Sequence, residues 1–173
     1  MAFVVEDGTG LPDANSYVDV AYADTYLADD FYPGNWPTLD NGQKQSILVD
    51  ASRTLDSIVA WRGVKTVDDS GLRWPRRGVA DRDGIRIGDN VIPKQLKEAT
   101  IEMALSIMAL DMSVDQDPNT SYLKRVKADD IEIEWKSDSE IPYQSQVPRK
   151  VKNLLAGLIY STGPIRMGIV IPT

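Results

Sequence analysis

The sequence predicts a mainly α-helical fold: a small four-helix bundle with a long Arg-rich loop, a short β-strand or hairpin insertion and an extended C-terminal arm. Three observations predict it. Apolar residues recur at helical spacing in four separate stretches. About thirty residues between the second and third stretches are punctuated by glycine, proline and arginine. Only one short run alternates apolar with polar residues as a strand does. A chain of 173 residues suffices for one hydrophobic core. Residues 1–162 therefore read as a single domain, with the insertion at about 122–136, and residues 163–173 as the arm.

The elements follow in order. Gly8, Gly10, Pro12, Asp13 and Asn15 mark an extended opening that runs into a turn. A first helix is expected from near Ser16, where Ser16 and Asp19 resemble a capping box. Val20, Ala23 and Leu27 share one face with Tyr26 beside them, and the helix should stop before Pro33-Gly34. A second helix is capped by Thr38 or Asp40. Its stripe of Ile47, Leu48, Ala51, Leu55, Ile58 and Val59 carries it towards Gly63.

Residues 63–92 hold Gly71, Pro75, Gly78, Gly84 and Gly88. They read as an ordered loop with a short hairpin, and so long a connection inside a compact domain usually has a task. Pro93 suits the first position of a third helix, whose buried side is Leu96, Ala99, Met103, Ala104, Ile107 and Met108. Ile131, Ile133 and Trp135 alternate with Glu132 and Glu134, and Val126 and Lys127 belong to the paired strand or its approach. A fourth helix starts near Pro148 and turns Val151, Leu154, Leu155, Leu158 and Ile159 inward. No apolar run is long enough to cross a bilayer, and the opening MAFVVEDGTG lacks the features of a secretory leader, so a cytoplasmic product with no membrane partner is expected.

Composition narrows the chemistry. There are no cysteines and no histidines. Disulfides, thiolate nucleophiles, zinc–thiolate sites and imidazole acid–base catalysis are excluded. No nucleophile is seen beside a partner that would activate it, so we expect neither an enzyme nor a cofactor. The net charge is −7, unevenly spread. Residues 1–60 hold ten acids and two bases, residues 61–86 seven bases and four acids, and residues 141–173 four bases and no acid.

Five constellations are candidates for function. The loop LRWPRRGVADRDGIRIG carries Arg73, Arg76, Arg77, Arg82 and Arg86 around Trp74. It would serve as a phosphate patch with a stacking ring, or its arginines would pair with Asp81, Asp83 and acidic helices within or between subunits. In a chain this acidic, protein–protein pairing is favoured. The carboxylate pairs Asp29-Asp30, Asp68-Asp69 and Asp129-Asp130 read as solvated surface, because no loop has calcium-ligand spacing; DRDG at 81–84 lacks the later glutamate. The glycines form neither a dinucleotide fingerprint nor a phosphate loop. Trp61 reads as core and Trp135 as a hairpin or subunit-boundary residue, whereas Trp36 and Trp74, in Pro-containing loops, are candidate anchors for a partner. Finally, Ile165, Met167, Ile169, Val170 and Ile171 make the arm apolar. It folds back on its own bundle or, the reading preferred here, adds to a neighbour's surface.

Taken as a set, several blocks resemble a phage protein family labelled DnaT-like single-stranded-DNA-binding protein. They are VVEDGTGLPDANSYVDVAYADTYLADD at the opening, WRG at 61–63 with Lys65, LRWPRRGVADRDG at 72–84, and NVIPKQLKEAT at 90–100. Members of that family sit among head and tail genes and look like head–tail connector (adaptor) proteins. The resemblance implies a connector-type helical bundle in the virion neck, made in the host cytoplasm. It implies a homo-oligomeric ring, twelve-fold to match a portal, that binds the portal protein and a tail or next neck protein. Genomic DNA would pass through the channel without sequence-specific contacts, and the C-terminal segment would dock on the portal. The family label carries the alternative, a single-stranded-DNA-binding replication accessory. The acidic surplus favours the connector, since a single-strand binder needs a basic groove interleaved with exposed aromatics.

Overall fold

The computed structural model describes residues 2–110, 126–128, 131–133 and 147–160. Helix α1 spans Val20–Ala28. Its cap is Asp19, whose carboxylate accepts the Tyr22 N–H at 2.7 Å. The expected start at Ser16 is therefore three residues early. Ser16 is buried and belongs to the opening segment, where it bridges Val5 and gives its hydroxyl to the Val18 carbonyl at 2.8 Å.

Helix α2, Asn41–Ile58, begins with a full capping box. Asp40 accepts from the Gln43 amide at 2.8 Å, and the Gln43 side chain accepts from the Asp40 amide at 3.0 Å. It stops short of Gly63 because Val59 turns extended, and Trp61 leaves to bridge Ile159. Between α1 and α2 a short 3-10 turn, Trp36–Thr38, drives Trp36 into the core, and its indole N–H reaches Asp24 at 2.8 Å. The expectation of Trp36 as a surface anchor is thus corrected: the indole is only 2% exposed.

The long connection contains the expected hairpin. Strand β1, Val64–Lys65, pairs antiparallel with β2, Arg76–Arg77, placing Val64 opposite Arg77 and Lys65 opposite Arg76. A second, tighter turn follows, closed by a bridge between Ala80 and Arg86. Helix α3 spans Lys94–Leu110. Pro93 stands just before it rather than within it, and its carbonyl accepts from the Leu96 and Lys97 amides. Strands β3, Val126–Ala128, and β4, Ile131–Ile133, pair antiparallel with Val126 opposite Ile133. Helix α4, Arg149–Leu154, is short, and the chain then turns so that Leu155, Leu158 and Ile159 stay buried. Trp135 and the whole arm, including Ile165, Met167, Ile169, Val170 and Ile171, lie outside the described residues.

The architecture is mainly helical, with two small antiparallel pairs. α2 packs on α3, α3 on α4, and α1 on both α2 and α3. Tyr17 meets Ser52 and Asp24 meets Lys44, so α1 runs antiparallel to α2. Lys97 lies over Tyr22 and Glu102 meets Tyr26, so α1 and α3 run side by side in the same direction. One apolar cluster draws on residues from Ala14 to Ile159. Leu48, Leu55, Leu96 and Leu155 are wholly buried within it, each contributing about 1.5–3 kcal/mol relative to exposure. Among the described residues no helix is long and apolar enough to cross a membrane.

Candidate functional site

Among the described residues the arginine loop, a groove between α1 and α3 and a smaller Arg62–Tyr160 grouping stand out on the surface. The loop is built on a buried frame. Tyr17 donates its hydroxyl to Asp56 at 2.6 Å and accepts the Arg73 and Trp74 amides at 3.1 and 3.3 Å. Asp56 also accepts the Trp61 indole N–H at 3.1 Å and the Arg73 amide at 3.0 Å. Burial pushes the Asp56 carboxyl above its ordinary range against the pull of these hydrogen bonds. Burial and the neighbouring Asp56 together hold the Tyr17 phenol well above its usual value. A phenol and a carboxylate thus fasten the WPR segment to α2.

Trp74 is the centre of this frame. It is fully buried and packs edge-to-face on Trp61, with ring centroids 6.1 Å apart. The expectation that it presents a ring to a partner or to a base is therefore corrected, because the apolar cluster takes the whole indole. Its buried indole N–H finds no acceptor among the described residues.

The arginines divide into an inner and an outer set. Arg76 is half-buried and spends its guanidinium on three backbone carbonyls, those of Arg62 at 2.6 Å, Gly63 at 2.7 Å and Arg73 at 3.1 Å. Arg73, Arg77, Arg82 and Arg86 are exposed. Within one chain, the arginines do not pair with Asp81 and Asp83 as expected. Asp81 instead accepts the Asp83 and Ile85 amides and so holds the tight turn, while Arg86 pairs with Asp89 at 3.2 Å. Arg77 and Arg82 make no ion pair with another described residue.

The opening segment supports this loop in a way the sequence reading missed. Glu6 is only 2% exposed, and its carboxylate accepts three amides: Gly8 at 2.9 Å, Gly10 at 2.8 Å and Leu11 at 2.9 Å. Gly8 has a φ of +104°, and a Cβ there would lie 2.1 Å from the Asn90 carbonyl oxygen. The EDGTG segment is thus a turn knotted around one buried acid and pressed against the end of the loop. The readable signal was an acid two residues before a Gly-x-Gly.

The second feature is a groove of about 830 Å³ along α1 and the start of α3, lined by Tyr22, Tyr26 and Phe31, by the carboxylates of Asp19, Asp29, Asp30 and Glu98, and, as the one cation among the described lining residues, by Lys94. Just past α1, Phe31 and Tyr32 are 83% and 78% exposed and stack edge-to-face at 4.6 Å. Beneath the groove the buried Glu102 accepts from the Tyr26 hydroxyl at 2.9 Å and pairs with Lys150 at 2.6 Å. Lys150 also lies 3.4 Å from Asp30. Its ammonium is raised above its ordinary value, chiefly by the hydrogen bond to Glu102.

A third grouping is smaller. Arg62 lies over the half-exposed ring of Tyr160 at 5.8 Å, and Arg76 ties the backbones of Arg62 and Arg73 together. This places one exposed guanidinium group over one exposed aromatic just past the end of α2, with the Arg73 backbone tied to the same hairpin. Among the described residues no three carboxylates are grouped to hold a metal ion.

Comparison with known proteins returns one family. A family model described as "Putative DnaT-like ssDNA binding protein" matches residues 1–170. Neither the curated proteins nor the solved structures contain a match to the chain.

Proposed function

The chain belongs to the DnaT-like family, and from the placement of its exposed aromatics and charges we propose that it is an assembly protein, a head–tail connector of a tailed bacteriophage without chemistry of its own. In this reading it forms a ring beneath the portal, contacts the tail or next neck protein, and lets genomic DNA pass through its channel. It is a virion component, and its connector-type bundle is the rigid part of the ring.

One observation carries the reading over the family's name: the two most exposed aromatic rings, Phe31 and Tyr32, stand beside carboxylates and not among the loop arginines. A single-strand binder interleaves stacking rings with phosphate-binding cations. Here Phe31 and Tyr32 stand next to an acid-lined groove, while Trp74, amid the arginines, is buried. Carboxylates beside the exposed rings repel a phosphate backbone, yet they suit a protein partner that brings cations.

Single-stranded DNA binding is the second reading, favoured by Arg62 over the exposed ring of Tyr160. One ring with one cation fits a single nucleotide, so affinity would be weak and would fall with salt. The two readings separate in one experiment. Purified protein is imaged by negative stain with its cognate portal, with a form truncated after Gly163 alongside, and both are titrated with labelled oligonucleotide. Rings on the portal that vanish with the truncation, and no oligonucleotide binding at physiological salt, are expected. Salt-sensitive oligonucleotide binding without portal association would reverse the assignment.

A further inference from the structure

No described residue fills the groove between α1 and α3, and its chemistry specifies a partner. We propose that it receives the Arg82–Arg86 turn of a second copy, giving a head-to-tail contact between identical chains. The proposal deepens the assembly reading and rests on it.

The turn is preformed. Asp81 fixes it through the Asp83 and Ile85 amides, and Gly84 sits at φ +83° with open space around it. Little entropy is lost on docking such a turn. Its tip is apolar and cationic: Ile85 is 67% exposed and flanked by Arg82 and Arg86. The groove offers the complement. Guanidinium groups stack on aromatic rings and pair with carboxylates, and the groove holds Tyr26 beside Asp29, with Asp19 next to Tyr22, whose ring already lies under Lys97. Ile85 has Phe31 to cover, and the exposed Asp83 has Lys94 to face.

Within one chain the two surfaces do not meet. The base of the turn is pressed on Gly157, where a Cβ would lie 2.7 Å from the Arg82 nitrogen, and no residue of the turn lines the groove. Donor and acceptor surfaces that differ make a heterologous contact, which closes into a ring or extends as a filament.

The chain has no cysteine, so single cysteines report the contact cleanly. Thr25→Cys places a thiol in the groove, Ile85→Cys one at the turn tip, and Asp13→Cys one at an exposed control position on neither surface. Pairs are mixed at low salt and joined with a short bismaleimide. The groove–turn pair is expected to cross-link roughly tenfold above the groove–control and turn–control pairs, since docking raises the local thiol concentration. Arg82→Glu should abolish the excess and Asp29→Arg in the partner should restore it. Equal yields in all pairs overturn the proposal, as does an excess that Arg82→Glu leaves unchanged. Cross-linking without rings on the portal would retain the pairing and reject the connector reading. Rings on the portal without groove–turn cross-linking would do the reverse.

Discussion

Replacing Glu6 by glutamine changes one atom in a buried carboxylate that three amides point at. The retained oxygen can still accept from Gly8 and Gly10, but as a neutral acceptor, and the new amide group faces the Leu11 N–H donor to donor. A hydrogen bond to a charged group is worth about 1.5–3 kcal/mol, and a buried donor left without an acceptor costs about 1–3 kcal/mol. One such loss and two weakened bonds sum to about 3 kcal/mol. With a urea m-value of about 2.5 kcal/mol/M for a chain of this size, the unfolding midpoint should fall by about 1.2 M. Amide exchange should quicken in residues 63–92 as well, because Gly8 and Gly10 press on Asn90 and Val67. Urea unfolding followed by tryptophan fluorescence reads the first effect and exchange mass spectrometry the second. A midpoint shift below about 0.4 M, equivalent to about 1 kcal/mol, would refute the role given to Glu6.

Three other outcomes are expected. Trp74→Ala should cost about 3–5 kcal/mol in chemical denaturation, whereas Trp74→Phe should cost under about 1.5 kcal/mol, because the indole N–H it removes has no acceptor among the described residues. Arg76→Lys should cost about 1–2 kcal/mol, since a point ammonium cannot span the carbonyls of Arg62, Gly63 and Arg73; protease cleavage between residues 63 and 78 should quicken. For pH, the Tyr17 and Lys150 groups are both raised in the folded chain, from 10.0 and 10.5. Raised values mean that their stabilisation is complete below the unfolded values and is lost as pH rises through the folded ones. Denaturation midpoints should therefore hold from pH 8 to about 10 and then drop, and the combined Tyr17→Phe, Lys150→Met variant should drop less steeply. An equally steep fall in that variant would count against both assignments.

What the sequence made legible was whatever local chemistry dictates. The α2 stripe and its Asp40 cap, the α3 face from Leu96 to Met108, and the strand pair around Ile131 are written in spacing and capping residues a few positions apart. What it hid depends on contacts between distant residues. Nothing near Trp74 says that Tyr17 and Asp56 will draw the WPR segment into the core, so a tryptophan in a Pro-containing loop read as an exposed anchor. Ser16 read as a cap because the helix pattern could not reveal its bridge to Val5. The arginines were legible as a group but not as two sets, since Arg76 binds carbonyls that only the β1–β2 hairpin brings together. The groove went unread as well, because Asp29, Asp30, Phe31 and Glu98 come together only when α1 and α3 lie side by side.

The separation of the arginine loop into a buried frame and an outer rim has an evolutionary consequence. The frame is intolerant: Gly63 and Gly71 each press a backbone carbonyl within 2.4 Å of where a Cβ would sit, and Trp74 fills core. In the rim, Gly84 is held by its φ of +83° and Arg86 by Asp89, but the exposed side chains of Arg82, Asp83 and Ile85 can change with little penalty in folding. Lineages that exchange one partner for another can therefore rewrite the letters of this turn while inheriting its scaffold intact, so recognition and foldability drift on separate clocks.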